Sequence, residues 1–440
     1  MNLVIPSLGK LLYTPTAAAT SEGMSPVLQF LLVLALVIFA AKAAGYLSAR
    51  LGQPAVLGEL LAGVVLGPSL INLYNLGFIQ PENRPYLENT LKIIAELGVI
   101  FLMFMAGLET NLSEMFKVGK VAVFSGVSGV IFPIAFGILV AMPFGYTFEK
   151  SLFIGIILAA TSVSISAQTM LELGVLRKRE GVALLGAAVF DDVLVVLVLS
   201  FYLAMVGGGS GGGALEIIVV ILKMAAFFLV TALLGLKVLP WALSRVKKLP
   251  ISENITATMV VLVLLTAWAA EYLGGVALIV GAFMVGALAA RTRFRHELEE
   301  KFRTIIYALL VPVFFVSIGL LVNLGSINGE AWFFAGLVCV AAIVSKIIGC
   351  GLGARLTGFN NLSSLRLGVG MVSRGEVGLI VASVGISEGI LNQQVYAATV
   401  LMVLVTTLFT PFALKLAFRG EKRTDAGIKS AEQVEVSGAN

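Results

Sequence analysis

Two adjacent carboxylates, Asp191 and Asp192, lie in the apolar stretch from Gly181 to Val206, which is long enough to span a membrane as a helix. Asp191 comes ten residues after Gly181, so helical rise places it roughly 15 Å deep, near the bilayer midplane. An acid at that depth costs about 2.5 to 3.5 kcal/mol on insertion scales, and two ionised neighbours also repel each other. The pair therefore indicates a functional site.

A hydrated carboxylate at the midplane can hold a proton or a small alkali cation, but not both, because each neutralises the same charge. Na⁺ prefers oxygen ligands, which Asp192 and the hydroxyl groups of Thr161, Ser162 and Ser164 in the preceding span could supply. Competition for one site would allow the two ions to be exchanged. The alternative is that these small polar residues only let helices pack closely.

Lys346 is the expected charge partner of the aspartates. It lies nine residues before Arg355 and thus about 13 Å from the end of its span, at the depth of Asp191. A buried ammonium needs a carboxylate, so we predict an ion pair between Lys346 and Asp191, with Asp192 left to bind the cation. A lysine that extends to the membrane interface is the better interpretation for Lys223, which lies nearer a helix end.

A further span contains Arg374 and Glu376 among several glycines. Glycines beside intramembrane charges predict a helix that is interrupted within the membrane. We expect Arg374 and Glu376 to pair with each other or with backbone groups freed by the break, and to support the site together with Ser164.

The composition is that of an all-α polytopic membrane protein: of 440 residues, 59% are hydrophobic and only 12% are charged, and the mean hydropathy is +1.01. The basic residues occupy short loops, where they determine topology, so the pI of 9.1 does not indicate a nucleic-acid partner. Thirteen spans are predicted, near residues 25–49, 54–72, 91–109, 119–143, 150–174, 181–206, 214–244, 254–273, 275–290, 304–323, 331–357, 364–387 and 392–418.

Basic clusters follow odd-numbered spans, at residues 177–179, 245–248 and 291–295, which predicts an outside N-terminus and a cytoplasmic C-terminus. Residues 101–112 also resemble residues 313–324, and Gly58 and Gly63 align with Gly281 and Gly286. Both matches are offset by seven spans, so the matched spans run in opposite directions, as in an inverted repeat. Chance similarity between glycine-rich segments is the alternative.

The expected organisation follows from these observations. It comprises an extracytoplasmic segment 1–24, a first inverted repeat of six helices at 25–206, a linker helix with loops at 207–253, a second repeat of six helices at 254–418, and a cytoplasmic tail 419–440. The first residues lack the pattern of a cleaved signal peptide. Cys339 and Cys350 lie about 16 Å apart along one span, too far to form a disulfide.

Together these residues resemble the monovalent cation:proton antiporter-2 family, and in particular its sodium/proton exchangers that carry an Asp-Asp pair. The resemblance rests on segments distributed over nearly the whole membrane region: 54–63 with Gly67-Pro68, 107–109, 160–162, 190–192, 312–319, Lys346 and 373–376.

The resemblance implies a homodimer with a dimerisation domain and a core domain that contains two crossed, broken helices, here the fifth and twelfth spans. It assigns ion binding to Asp192, the lysine partner to Asp191, and positions beside the ion to Thr161 and Ser162. It also implies two protons per Na⁺, and hence electrogenic exchange. Our hypothesis is that the protein exchanges Na⁺ or Li⁺ for H⁺ by alternating access across a prokaryotic cell membrane, in pH homeostasis. No cofactor is expected.

Three alternatives use the same residues differently. A K⁺/H⁺ antiporter could have the same site, because nothing in the sequence sets its size. A cation channel would need a continuous pore rather than a midplane binding site, and an organic-anion symporter would bring its substrate against an acidic midplane. A membrane enzyme is disfavoured, because the one histidine, His296, lies in a charged loop and no metal-ligand cluster occurs.

Overall fold

The computed structural model describes residues 24–110, 112–206, 213–250, 252–323 and 329–419. The predicted terminal segments 1–24 and 419–440 therefore lie almost wholly outside the described residues, as does Asn111. The described part consists of helices joined by turns and loops, and it contains no strand. Its helices are α1 Pro26–Arg50, α2 Ala55–Leu66, α3 Arg84–Glu109, α4 Leu112–Lys117, α5 Gly119–Ala141, α6 Phe148–Ala159, α7 Val163–Glu172, α8 Arg179–Val206, α9 Gly213–Val246, α10 Asn254–Tyr272, α11 Leu278–Ala289, α12 Arg295–Ile305, α13 Val311–Leu320, α14 Gly329–Leu356, α15 Asn361–Gly370, α16 Glu376–Ser387 and α17 Gln393–Ala417.

Ten helical stretches in the described ranges are long and apolar enough to cross a membrane, and three shorter apolar helices, Ala55–Leu66, Leu278–Ala289 and Val377–Ile386, accompany them. The α6–α7 and α12–α13 pairs each form one such stretch, at Phe148–Glu172 and Arg295–Leu320. An all-α polytopic membrane protein is thus confirmed. The total of thirteen crossings stays a prediction.

Helix contacts divide the chain into two groups. Helices α4–α8 pack with α14–α17, and this group is here called the core bundle. Helices α1–α3 pack with α9–α13, here called the scaffold bundle. The bundles meet mainly where α7 lies against α2 and α3, where α17 lies against α2, and where α8 lies against α9. Each bundle therefore contains helices from both halves of the sequence.

Close glycine contacts join the four helices for which the predicted repeat gives matches, namely α2, α3, α11 and α13. Gly63 of α2 lies against the backbone of α13 at Gly319, and Gly107 of α3 lies against the backbone of α11, where Gly286 faces α3 in turn. The seven-span offset relates α2 to α11 and α3 to α13. If each helix is replaced by its repeat partner, the contact between α2 and α13 becomes the contact between α11 and α3. This exchange supports the repeat, whose boundaries stay a prediction.

Candidate functional site

Two interrupted helices cross in the core bundle. The first break separates α6 from α7 at residues 160–162, and the second separates α15 from α16 at residues 371–375. The Ser162 amide donates to the Ser373 carbonyl at 2.9 Å, and the Ser373 hydroxyl donates to the Ser162 carbonyl at 2.5 Å. These reciprocal bonds satisfy backbone groups that a break inside a membrane would otherwise leave unpaired.

The hydroxyl groups of α7 also lie at this crossing. Ser166 donates to the Gly370 carbonyl at 2.5 Å, and its oxygen lies 2.9 Å from the Ser373 hydroxyl. The hydroxyl oxygens of Ser162 and Ser164 lie 3.0 Å apart, and both side chains are buried. Part of the predicted hydroxyl run therefore joins the two broken helices.

Arg374 is fully buried, and its guanidinium donates hydrogen bonds to several backbone carbonyls. Its guanidinium donates to the Leu158 carbonyl at 2.8 Å, to the Ala342 carbonyl at 3.1 Å, and to the carbonyls of Met371 and Val372. Leu158 lies in the last turn of α6, where unpaired carbonyls carry partial negative charge. The predicted pairing of Arg374 with freed backbone groups is present, and its pairing with Glu376 stays a prediction. Glu376 begins α16, and its side chain lies outside the described residues.

Lys346 and Asp191 form an ion pair inside the core bundle. Lys346 Nζ lies 2.7 Å from Asp191 Oδ1, and neither side chain is exposed. The other carboxylate oxygen of Asp191, Oδ2, accepts no hydrogen bond from the described residues, although the Thr161 hydroxyl is a close polar neighbour of this carboxylate. The pair joins α8 to α14, and thus the two halves of the sequence.

Asp192 points away from that pair, toward the boundary between the bundles. It lines a small cavity with Val163 of α7, while the facing wall comes from the scaffold bundle at Met103, Ile279, Val280 and Phe283. The residue is 5% exposed. Val163 directly follows Thr161 and Ser162, so the carboxylate faces the start of α7, where the helix dipole favours negative charge.

The arrangement gives the two aspartates different surroundings. Asp191 is matched by a buried ammonium, whereas Asp192 lies beside a cavity at a boundary between two packed bodies. The hydroxyl groups nearest to the first break, at Thr161 and Ser162, are oxygen ligands of the kind that Na⁺ accepts. Among the described residues no group of three or more His, Cys, Asp or Glu side chains could hold a metal ion.

A sequence model of the transmembrane domain of sodium/hydrogen exchangers matches residues 31–420. The chain belongs to the sodium/hydrogen exchanger family. The resemblance stated from the sequence is thus confirmed at the level of this family, and its subdivision stays a prediction.

Several relatives in this exchanger family are similar over almost their whole length. The Na⁺/H⁺-K⁺ antiporter GerN of Bacillus cereus is 42% identical over 390 residues, which cover 89% of this chain and 96% of GerN. The high-affinity Na⁺/H⁺ antiporter NhaS3 of Synechocystis is 32% identical and covers 97% of this chain and 98% of its own length. The solved sodium proton antiporter MjNhaP1 of Methanocaldococcus jannaschii superposes with a TM-score of 0.67 at 16% identity, covering 90% of this chain and 98% of its own, and shows the same fold.

Two residues at the site of this exchanger were missed in the sequence, although both carry a signal. Thr406 accepts a hydrogen bond from the Arg374 amide at 3.2 Å, and Thr407 donates to the Arg374 carbonyl at 2.7 Å. Two adjacent threonines within an apolar span are a signal in the sequence, because their hydroxyl groups can form hydrogen bonds with backbone groups that a helix break leaves unpaired. Their partner Arg374, in the second break, could not be identified from spacing, because it lies 32 and 33 residues away in the chain.

Proposed function

We propose that the protein is a secondary transporter, not an enzyme, that exchanges Na⁺ or Li⁺ for H⁺ across a membrane. The observation that carries this proposal is the division between the two buried aspartates. Lys346 neutralises Asp191, while Asp192 lies at the boundary between the bundles, where a relative movement could expose it to either side. A neutralised carboxylate crosses hydrocarbon far more easily than a bare one, so the site moves with either Na⁺ or H⁺ bound.

Asp192 is the ion-binding carboxylate in this mechanism, and Thr161 and Ser162 add hydroxyl ligands to Na⁺. Asp191 with Lys346 forms the second ionisable group, so that two protons exchange for one Na⁺ and the cycle moves charge. Ser164, Arg374 and Glu376 support the crossing. Alternating access follows from movement of the core bundle against the scaffold bundle.

The test uses purified protein in liposomes that contain a dye quenched by a proton gradient. Addition of Na⁺ or Li⁺ should dequench the dye, and Asp192→Asn should abolish the response in folded protein. Glu149→Gln removes an acid from the exposed start of α6 and serves as the matched control with full activity. Undiminished Na⁺ response in Asp192→Asn would refute the assignment, and a rate indifferent to an imposed membrane potential would refute electrogenic exchange.

Exchange of K⁺ for H⁺ at the same site is the second candidate, and the name of GerN, a Na⁺/H⁺-K⁺ antiporter, favours considering it. The same dye assay with K⁺ in place of Na⁺ separates the two. A saturable response to Na⁺ and Li⁺ without one to K⁺ supports the first proposal.

We further propose that the protein is a homodimer in a prokaryotic cell membrane, with its N-terminus outside and its C-terminus in the cytoplasm. Bacterial relatives and the basic clusters at residues 177–179, 245–248 and 291–295 support this placement. The dimer would associate through the scaffold bundle, leaving the core bundle to move, in a role in pH homeostasis. Fluorescence of a C-terminal reporter that folds only in the cytoplasm tests the orientation, and light scattering in detergent tests the dimer.

A further inference from the structure

A cavity of about 480 Å³ whose lining includes charged side chains lies between the two bundles at the C-terminal end of α7. Gln168, Glu172 and Arg177 line it from the core bundle, and Glu109 and Glu299 line it from the scaffold bundle. Charged side chains of both bundles therefore meet across a boundary that any relative movement must cross.

Arg177 connects the bundles directly. It follows α7 in the core bundle, and its Nε lies 3.6 Å from Oε2 of Glu109, the last residue of α3. Its Nη2 lies 3.1 Å from Oε1 of Glu299 on α12. The planar guanidinium thus contacts two carboxylates on two different scaffold helices, a geometry that the single ammonium of a lysine reproduces less well.

Glu172 makes a second contact across the same boundary. Its carboxylate accepts the first two amides of α2, from Ala55 at 2.6 Å and Val56 at 3.3 Å. Pro54 precedes α2 and gives it no side-chain cap, so the carboxylate caps a scaffold helix from the core bundle. Gln168 holds this carboxylate in place by donating to Glu172 Oε1 at 3.0 Å.

We propose that Arg177 is a positioning residue for exchange, which together with Glu172 holds the core bundle against the scaffold bundle in the conformation seen here. Departure from this conformation requires the contacts of Arg177 with Glu109 and Glu299 and those of Glu172 with α2 to break together. The inference rests on the proposed movement of the core bundle during exchange. According to this inference, Arg177 sets the rate at which the core bundle leaves the conformation seen here.

Hydrogen–deuterium exchange at the start of α2 tests this coupling, because Arg177 contacts neither Ala55 nor Val56. Arg177→Ala should speed deuterium uptake at these two amides about twofold to fivefold, the range expected from losing partly exposed ion pairs, and Arg177→Lys should restore part of the protection. Arg179→Ala is the matched control, because Arg179 stacks at 4.7 Å on Phe359 within the core bundle and should leave uptake unchanged.

The proposal is overturned if deuterium uptake at Ala55 and Val56 is unchanged in folded Arg177→Ala. The ion pairs of Arg177 would then have no effect on the contact between Glu172 and α2. Sodium flux is measured on the same samples. Faster uptake with an altered turnover rate and an unchanged KM for Na⁺ supports the proposal. If Arg177→Ala speeds deuterium uptake but the unsubstituted protein exchanges no cation, the two results have separate meanings. The contacts would still restrain the movement of the bundles, and the proposed function would be refuted.

Discussion

Lys346 and Asp191 contact each other at 2.7 Å with no exposed surface on either side chain, although 155 residues separate them in sequence. Removal of either charge leaves the other buried without its partner, which typically costs about 3 to 5 kcal/mol. Replacement of both by apolar residues costs far less, because no charge remains to be desolvated.

We therefore expect Lys346→Met to lower the melting temperature in detergent strongly, and Lys346→Met with Asp191→Leu to recover most of the loss. Lys117→Met is the matched control, because Lys117 pairs with Glu114 at 2.7 Å while the two side chains are 69% and 49% exposed. Equal destabilisation by the single and double substitutions would contradict the pairing as an energetic unit.

Arg374→Lys should also destabilise the protein, because one ammonium cannot reach the carbonyls of Leu158 and Ala342 and those at the end of α15 together. Each buried carbonyl left without a donor costs about 1 to 3 kcal/mol. Arg355→Lys removes a guanidinium from an exposed position and should have little effect. Thermal unfolding followed by intrinsic fluorescence measures both, and similar melting temperatures would show that the carbonyl contacts of Arg374 contribute little.

Gly375→Ala should disrupt the crossing of the broken helices. A Cβ at this position would lie 2.6 Å from the Ser162 hydroxyl oxygen and 2.7 Å from Ser162 Cβ, distances that real atoms do not adopt. At Gly378, in the first turn of α16, the nearest atom to a Cβ is 3.8 Å away, so Gly378→Ala is the control. Exchange should fall in Gly375→Ala and stay close to the parent rate in Gly378→Ala. Full activity in Gly375→Ala would mean that the crossing can shift without loss.

Acidification should raise the apparent KM for Na⁺, because protons and Na⁺ compete for Asp192. At low pH the carboxylate is more often protonated, so a higher Na⁺ concentration is needed to occupy half of the sites, whereas at high pH this competition disappears. Initial rates of Na⁺-driven dequenching, measured over a range of Na⁺ concentrations at several pH values, provide the KM. A KM that stays constant while only the maximal rate changes would indicate separate proton and sodium sites.

The sequence was most informative where buried charge has few possible partners. Depth indicated that Lys346 pairs with one of the two aspartates, since an intramembrane ammonium must find a carboxylate, and the family resemblance indicated Asp191. Arg374 was harder, because carbonyls freed by a break and the nearby Glu376 were both reasonable acceptors. Spacing does not reveal which of several hundred carbonyls lies within reach.

Contacts that depend on how two bundles pack were not predicted. The residues at 177–179 were interpreted only as determinants of topology, yet Arg177 contacts Glu109 and Glu299 across the bundle boundary. The contact of Ser166 with Ser373 joins half-helices 207 residues apart. Neither follows from periodicity, which describes one helix at a time.

The separation of Asp191 from Lys346 in the sequence also matters during biosynthesis. At about 5 to 20 residues per second, the ribosome needs roughly 8 to 30 s to advance the 155 positions from Asp191 to Lys346. During that interval the helix bearing both aspartates enters the bilayer before its countercharge has been translated. Until α14 arrives, the apolar residues of α8 have to offset the insertion cost of an ionised Asp191, about 2.5 to 3.5 kcal/mol, unless temporary protonation of the acid lowers it.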